Sequence, residues 1–465
     1  MLTVEIPATC ESERRYVIHV VLGEWLGLPH RVVVSEVRGV RIRASGGAVL
    51  ELADVFFAQA APAWLSETTL PREPLSRWDP PADVPGVRLP GAMPLLFVEE
   101  GAARAPIERQ GRDLHCRIDL LGGVFFLLSR YEELVAGGRD RHGRFTAAGS
   151  LAAREKFVER PLANEYTELL WRLIREIWPG IGRRKRSYRV LLSHDVDSPS
   201  GAARFTAFEL VHALGGDLLK RRSPALAVRR IVAAATAPFG APRWDPHDTF
   251  DFIMSQSEQR GLQSTFNFIA GHSAGRIDGC YDIDEPWLLR LMSRLHERGH
   301  EIGLHPSYET WLDGSALATE FERLRSAAEA AGVQQDRWGG RQHFLRWSAP
   351  ETWRIWAEAG LDYDSSVGFA DRVGFRCGSC YEFPVYDARQ RAPLGLRERP
   401  LLVMEATLLQ PEYMGLELDE AVARVSGIAH ICRRYGGDLT LLWHNHFLIE
   451  RAQRNAYRRL LESVA

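Results

Sequence analysis

The sequence predicts an α/β protein: a parallel β/α repeat, closed as a barrel or doubly wound, behind a smaller α/β unit. Three observations predict it. From residue 187 onward, apolar strand-like runs alternate with helical runs. Polar residues fall where those strands end, as they do on the C-terminal face of parallel barrels: Asp195 and Asp197, His305, Arg341 and His343, Asp364, His444 and His446. The first of these strands, Val190 to Leu192, runs into two carboxylates and stops at Ser198-Pro199.

Strand side chains alternate faces, so Asp195 and Asp197 point the same way. Two acids at the mouth of a buried strand are costly unless a cation or a proton in transit uses them. The alternative is a carboxylate pair capping nearby backbone N–H groups.

The rest of the chain narrows the field. A length of 465 residues predicts two or three domains. The composition, 45% hydrophobic and 25% charged, is that of a globular protein. A net charge of −2 argues against nucleic-acid binding, which needs a basic face. No stretch of 18 consecutive apolar residues occurs, so no transmembrane helix is expected. The first 13 residues hold acids and no Lys or Arg, unlike a signal peptide, and the expected location is cytoplasmic. Six scattered cysteines suit reduced thiols; Cys377 and Cys380 form a lone C-x-x-C, a weak signal without a second pair.

In order along the chain, residues 1–180 read as a separate accessory or substrate-presenting domain. Residues 16–22 open a helix or strand, and 31–35 and 37–43 are strands. Residues 71–94 are proline-rich loop, and 118–134 run from a buried strand through a turn into a helix. Residues 139–150 are a surface loop, whose Arg139–Arg144 cluster reads as solvated, with anion binding as the alternative. A closing helix carries Leu169, Leu170, Leu173, Ile174 and Ile177 at helical spacing. Residues 179–186 are the boundary. Within the second domain, 187–465, residues 200–248 form a helical insertion with basic amphipathic stretches. It reads as a lid, with a membrane surface or an acidic partner as alternatives. Helices then follow at 249–261, 285–299, 316–331, 350–359 and 418–435, several stopped by glycine. Strands lie between them at 264–270, 300–305, 339–344, 363–367, 401–405 and 438–443.

The segments Ser193-His-Asp-Val-Asp197, Gly299-His-Glu-Ile-Gly-Leu-His305, Gly340-Arg-Gln-His343 and Leu442-Trp-His444 carry a resemblance. Over residues 187–450 the chain resembles the polysaccharide deacetylase (NodB-like) superfamily, of the carbohydrate esterase family 4 type. That resemblance implies an irregular (β/α) barrel that hydrolyses N-acetyl or O-acetyl groups of sugars. It implies Asp195 as base, Asp197 and His305 as metal ligands, Arg341 as the arginine bracing the base, Asp364 as a buried aspartate, and His444 as the acid that protonates the leaving group. The family places a second histidine four residues after the first, where this chain has Glu309. If Pro306 opens a helical turn, His305 and Glu309 share a face, and a carboxylate is an acceptable zinc ligand. His343 or His446 is the alternative third ligand; otherwise His300, Glu301 and His343 are structural. The implied cofactor is a divalent metal, Zn2+. The implied partners are a carbohydrate substrate and, peripherally, a polysaccharide-assembly system. Two other readings stand beside this one: a metal-free hydrolase of an amide C–N bond on the same scaffold, and a non-catalytic glycan-binding barrel. Trp311, Trp347, Trp353 and Trp356 read as core rather than as a sugar-stacking face.

Overall fold

The structure, a computed structural model, describes residues 1–44, 47–80, 84, 89–201, 206–236 and 244–465. In the N-terminal part the strands are β1 (Leu2–Ile6), β2 (His30–Val34), β3 (Val40–Arg43), β4 (Val49–Leu52), β5 (Ser76–Trp78), β6 (Met93–Leu95), β7 (Ile107–Gln110) and β8 (Asp113–Cys116). Six form one sheet, ordered β2-β1-β3-β4-β8-β7, while β5 and β6 pair inside the stretch expected to be loop. The helix Leu120–Leu128, buried at every position, packs beside Leu162–Ile177. Asp119 caps it by accepting the N–H of Gly122. The strand, turn and continuing helix expected over 118–134 are instead two helices with a break between them. Arg130 takes a left-handed conformation at φ 54, and a second helix restarts at Tyr131–Val135. The Arg130 guanidinium, bonded to the carbonyl of Leu127 and the carboxylate of Glu133, fixes that break. Residues 16–22 belong to a helix, Glu11–Ile18, that continues as a wider turn to Trp25.

From residue 189 a nine-stranded sheet is built of β9 (Arg189–Val196), β10 (Ser264–Phe268), β11 (Glu301–Leu304), β12 (Gly339–Gly340), β13 (Tyr363–Asp364), β14 (Phe383–Asp387), β15 (Ala392–Glu398), β16 (Val403–Met404) and β17 (Asp438–Leu442). Its order is β14-β15-β13-β12-β11-β10-β9-β17-β16. Every neighbouring pair is parallel except the hairpin β14–β15, which the sequence reading lacked. Asp195 and Asp197, His305, Arg341, Glu405 and His444 stand at or just after the C-terminal ends of parallel strands, so one edge of the sheet collects these polar groups. Past the ends of the ladder, the N–H of Leu401, just before β16, donates to the carbonyl of Val367, just after β13, at 3.2 Å.

The two sheets share one continuous apolar core. A buried ion-pair cluster also joins them: Glu133 receives Arg376 and Arg130, all nearly free of solvent. In the insertion, the helices Ala207–Gly215 and Pro224–Thr236 are described, whereas 202–205 and 237–243 lie outside the described residues. Among the described residues no helix is long and apolar enough to cross a membrane.

Candidate active site

Strand order puts the ends of β9, β11, β12, β16 and β17 around one pocket. Its walls include Asp195, Asp197, His305, Gln342, His343, Met404, Leu442 and His444. Asp195, still within β9, is nearly fully buried. Its Oδ1 accepts Nη1 of Arg341 at 2.9 Å and Nδ2 of Asn267 at 2.7 Å. Burial opposes the charge, but Arg341, His305 and His444 outweigh it and hold the carboxyl below its usual range. Arg341 is itself fixed by the carbonyl of Ser365 and the hydroxyls of Ser193 and Ser365.

Two residues on, Asp197 faces a different set. Its Oδ1 lies 3.2 Å from Nε2 of His305, and its Oδ2 lies 3.5 Å from Nε2 of His444. Burial again opposes ionisation, yet His444, His305 and His343 hold Asp197 well below the ordinary carboxylate range. Asp197, His305 and His343 bring one ligand atom each to within 4.8 Å of one another. Both histidines are oriented by their other ring nitrogen: Nδ1 of His305 on the carbonyl of Arg341 at 2.6 Å, and Nδ1 of His343 on Oδ1 of Asp278 at 3.0 Å. Metal-binding histidines are held in the same way, which leaves Nε2 to the ion. Oδ1 of Asp197 and Nε2 of His305 are buried and, although 3.2 Å apart, make no aligned hydrogen bond to each other or to any other group. With the Nδ1 proton of His305 given to the Arg341 carbonyl, Nε2 offers a lone pair, so these two buried atoms and His343 beside them fit a divalent cation.

On the other wall, Nδ1 of His444 sits 2.5 Å from Oε1 of Glu405, the residue that follows β16. Burial pulls an imidazole down, but Glu405, then Asp197, push His444 up to about 10. It is therefore cationic at neutral pH, with Nε2–H turned to the pocket.

Most of the expected site residues converge here: Asp195, Asp197, His305, Arg341 and His444. Glu309 does not. The helical turn expected after Pro306 starts only at Thr310–Leu312, and the exposed Glu309 carboxylate pairs with Arg346 at 2.8 Å. His343 stands in the cluster in its place, and His446 lines the pocket wall beyond His444. Asp364 does not line the pocket. It is fully buried at the end of β13, where burial pushes its carboxyl up to about 7 and Oδ1 accepts the N–H and hydroxyl of Ser366. Asn267, Asp278 and Glu405, which orient the base and two histidines, were missed by the sequence reading. So was Arg144, buried against the pocket instead of solvated. Trp347, Trp353 and Trp356 are buried core, as expected, whereas Trp311 is only half-buried, under the Arg346 guanidinium.

Residues 2–179 match a family of unknown function, DUF7033, which covers less than half of the chain. No curated protein matches. Among solved structures, a probable polysaccharide deacetylase from Pseudomonas aeruginosa PAO1 is 14% identical over 67% of this chain and 90% of its own, with a TM-score of 0.37. The allantoinase Puue is 12% identical over 61% of this chain and 85% of its own, at 0.36. A polysaccharide deacetylase from Bacillus cereus is 12% identical over 60% of this chain and 87% of its own, at 0.27. TM-scores this low give these likenesses no weight for fold or activity.

Proposed function

We propose that this protein is a metal-dependent hydrolase that removes acetyl groups from the nitrogen or oxygen of a sugar or glycan, on an irregular (β/α) barrel. The barrel reading is supported by the chain between β15 and β16, where the N–H of Leu401 donates to Val367 beyond β13 and the N–H of Leu402 donates to Thr440 of β17. The observation that carries the reaction is the buried cluster of Asp197 Oδ1, His305 Nε2 and His343, in which the first two atoms face each other without an aligned hydrogen bond. They lie between a braced carboxylate, Asp195, and a cationic imidazole, His444.

Asp197, His305 and His343 would hold a divalent cation, with zinc fitting a carboxylate and two imidazoles. When bound, such an ion supplies Lewis acidity toward a carbonyl and acidifies water. Asp195 has Oδ1 committed to Arg341 and Asn267, so Oδ2 is the atom left to accept a proton from attacking water. Arg341 keeps that carboxylate ionised and fixed in direction. His444, held through Nδ1 by Glu405, donates from Nε2 to the departing nitrogen or oxygen. Phe344, Leu345, Met404 and Phe447 form apolar walls, with Gln410 and Tyr413 as polar points. The cavity holds about 130 Å3, below the roughly 300–1,000 Å3 of pockets that enclose a whole small molecule. Only a small group of the substrate enters, as an acetyl on a larger glycan would.

Acetate release from N-acetylglucosamine oligomers and from O-acetylated glycan tests the reading. The expected result is turnover that Asp195→Asn lowers by about 10²–10⁴-fold. Equal turnover in wild type and variant would remove Asp195 from the reaction.

A further inference from the structure

The two histidines of the cation cluster sit on two loops, one after β11 with His305 and Tyr308, the other after β12 with His343 and Phe344. A hairpin of the N-terminal unit grips both. Arg139 and Phe145 form an isolated antiparallel bridge that closes residues 139–145 into a tight loop. On the His343 loop, Nη1 of Arg144 donates to the carbonyl of Phe344 at 3.0 Å, and Nη2 donates to the hydroxyl of Tyr413 at 3.1 Å. Asp140 fixes the guanidinium from behind at 2.8 Å. On the His305 loop, Nδ1 of His142 lies 2.8 Å from the Tyr308 hydroxyl. The carbonyl of His142 accepts Nε of Arg346, which stacks over the Tyr308 ring and donates to the Tyr308 carbonyl at 2.6 Å. Gly143 approaches so closely that a Cβ there would lie 3.2 Å from the Trp311 ring.

The turn that the hairpin holds does not hold itself. Phe344 and Leu345 both have positive φ, 60 and 54. For residues with large side chains that backbone is strained, so it persists only where surrounding contacts enforce it. The carbonyl that Arg144 takes belongs to the first of these two residues, directly after His343.

Resting on the cation-site reading above, we propose that the N-terminal unit is built into that site. Its 139–145 hairpin clasps the two histidine loops, and Arg144 is a positioning residue for His343. Docking of the two units does not need this hairpin, since pairs remote from the pocket, such as Glu13–Arg391 and Glu24–Arg397, also join them.

The test uses the full chain as wild type, Arg144→Ala, Arg144→Lys, His142→Ala and Arg391→Gln. Each is titrated with Co2+, reading the visible ligand-field spectrum and the affinity by chelator competition, with the near-UV spectrum as the check on folding. The clasp predicts that Arg144→Ala weakens Co2+ binding by about 10–100-fold and changes the spectrum. His142→Ala should shift both in the same direction, Arg144→Lys should recover part of the loss, and Arg391→Gln should match wild type. Wild-type affinity and spectrum in both Arg144→Ala and His142→Ala would overturn the clasp while leaving the cation site intact. So would an equal loss in Arg391→Gln, which would trace the effect to loosened domains. Wild-type protein that binds neither Co2+ nor Zn2+ would overturn the cation site, and the clasp with it.

Discussion

Asp195 and Asp197 lie on the same face of one strand end, yet their neighbours give them different work. Arg341 and Asn267 occupy one oxygen of Asp195, whereas Asp197 meets only histidines. Environment separates a base from a ligand here. Replacing Arg341 with Met would leave Asp195 buried and unpaired. The expected cost is about 3–5 kcal/mol, read as a lower urea midpoint, and the acid limb of the activity profile should move to higher pH. Glu405→Gln removes the largest influence that raises His444. The imidazole, which titrates near 10 in wild type, should then titrate lower, toward its ordinary 6.5, as followed by NMR of the ring. Because the folded value is raised, the His444–Glu405 pair stabilises the fold fully below about 6.5 and loses that contribution as pH rises through about 10. Asp195, Asp197, His305, Arg341 and His444 could be read from sequence because each closes a run that reads as strand. Glu405, Asn267 and Asp278 could not, since they stand 39, 72 and 65 residues from the groups they orient and no local pattern ties them together. Glu309 departs from its expected place because four-residue spacing makes one face only in a helix, and the chain does not turn helically until Thr310.

At the scale of elements, the strands that carry the site are short. β12 is two residues, and Gly340 pairs directly with Leu304 of β11. A Cβ at Gly340 would fall on the Leu304 carbonyl, a rigid backbone atom. Gly340→Ala should therefore spread β11 from β12 and destabilise the protein by about 1–3 kcal/mol, measured by thermal unfolding. Because Arg341 and His343 follow directly, its cation affinity should fall as well. Alternating apolar and glycine-stopped runs made most of the parallel strands and their helices legible. The hairpin β14–β15 was hidden because Pro384 and Pro393 interrupt it and its faces mix charged with apolar residues. The last helix, Arg451–Val464, carries a stripe of Ala456, Tyr457, Leu460, Leu461 and Val464 that is diluted by arginines on its other faces.

Across the whole molecule, the sequence suggested an appended N-terminal domain, and the structure shows a shared core with a buried ionic tie. Glu133 is held at about 2 although burial opposes its charge, because Arg376 from one sheet's unit and Arg130 from the other's surround it. Its folded value lies below the ordinary 4.5, so its contribution is full above about 4.5 and is lost as pH falls toward 2. That contribution is of the order of 3 kcal/mol. Chemical denaturation of wild type should show stability falling over this interval. Glu133→Gln should lack that slope and be weaker at neutral pH, since both arginines lose their partner. No sequence pattern links residue 133 to residue 376, so the tie could be seen only in three dimensions.

Everything proposed for the site depends on a cation at Asp197, His305 and His343. The most direct measurement is elemental analysis of the purified full chain beside Asp197→Ala, His305→Ala and His343→Ala, each supplied with zinc and then dialysed. The account predicts about one divalent ion per wild-type chain and loss of it in all three variants. A wild-type chain that retains no metal after reconstitution, or a His343→Ala variant that retains a full equivalent, would contradict it.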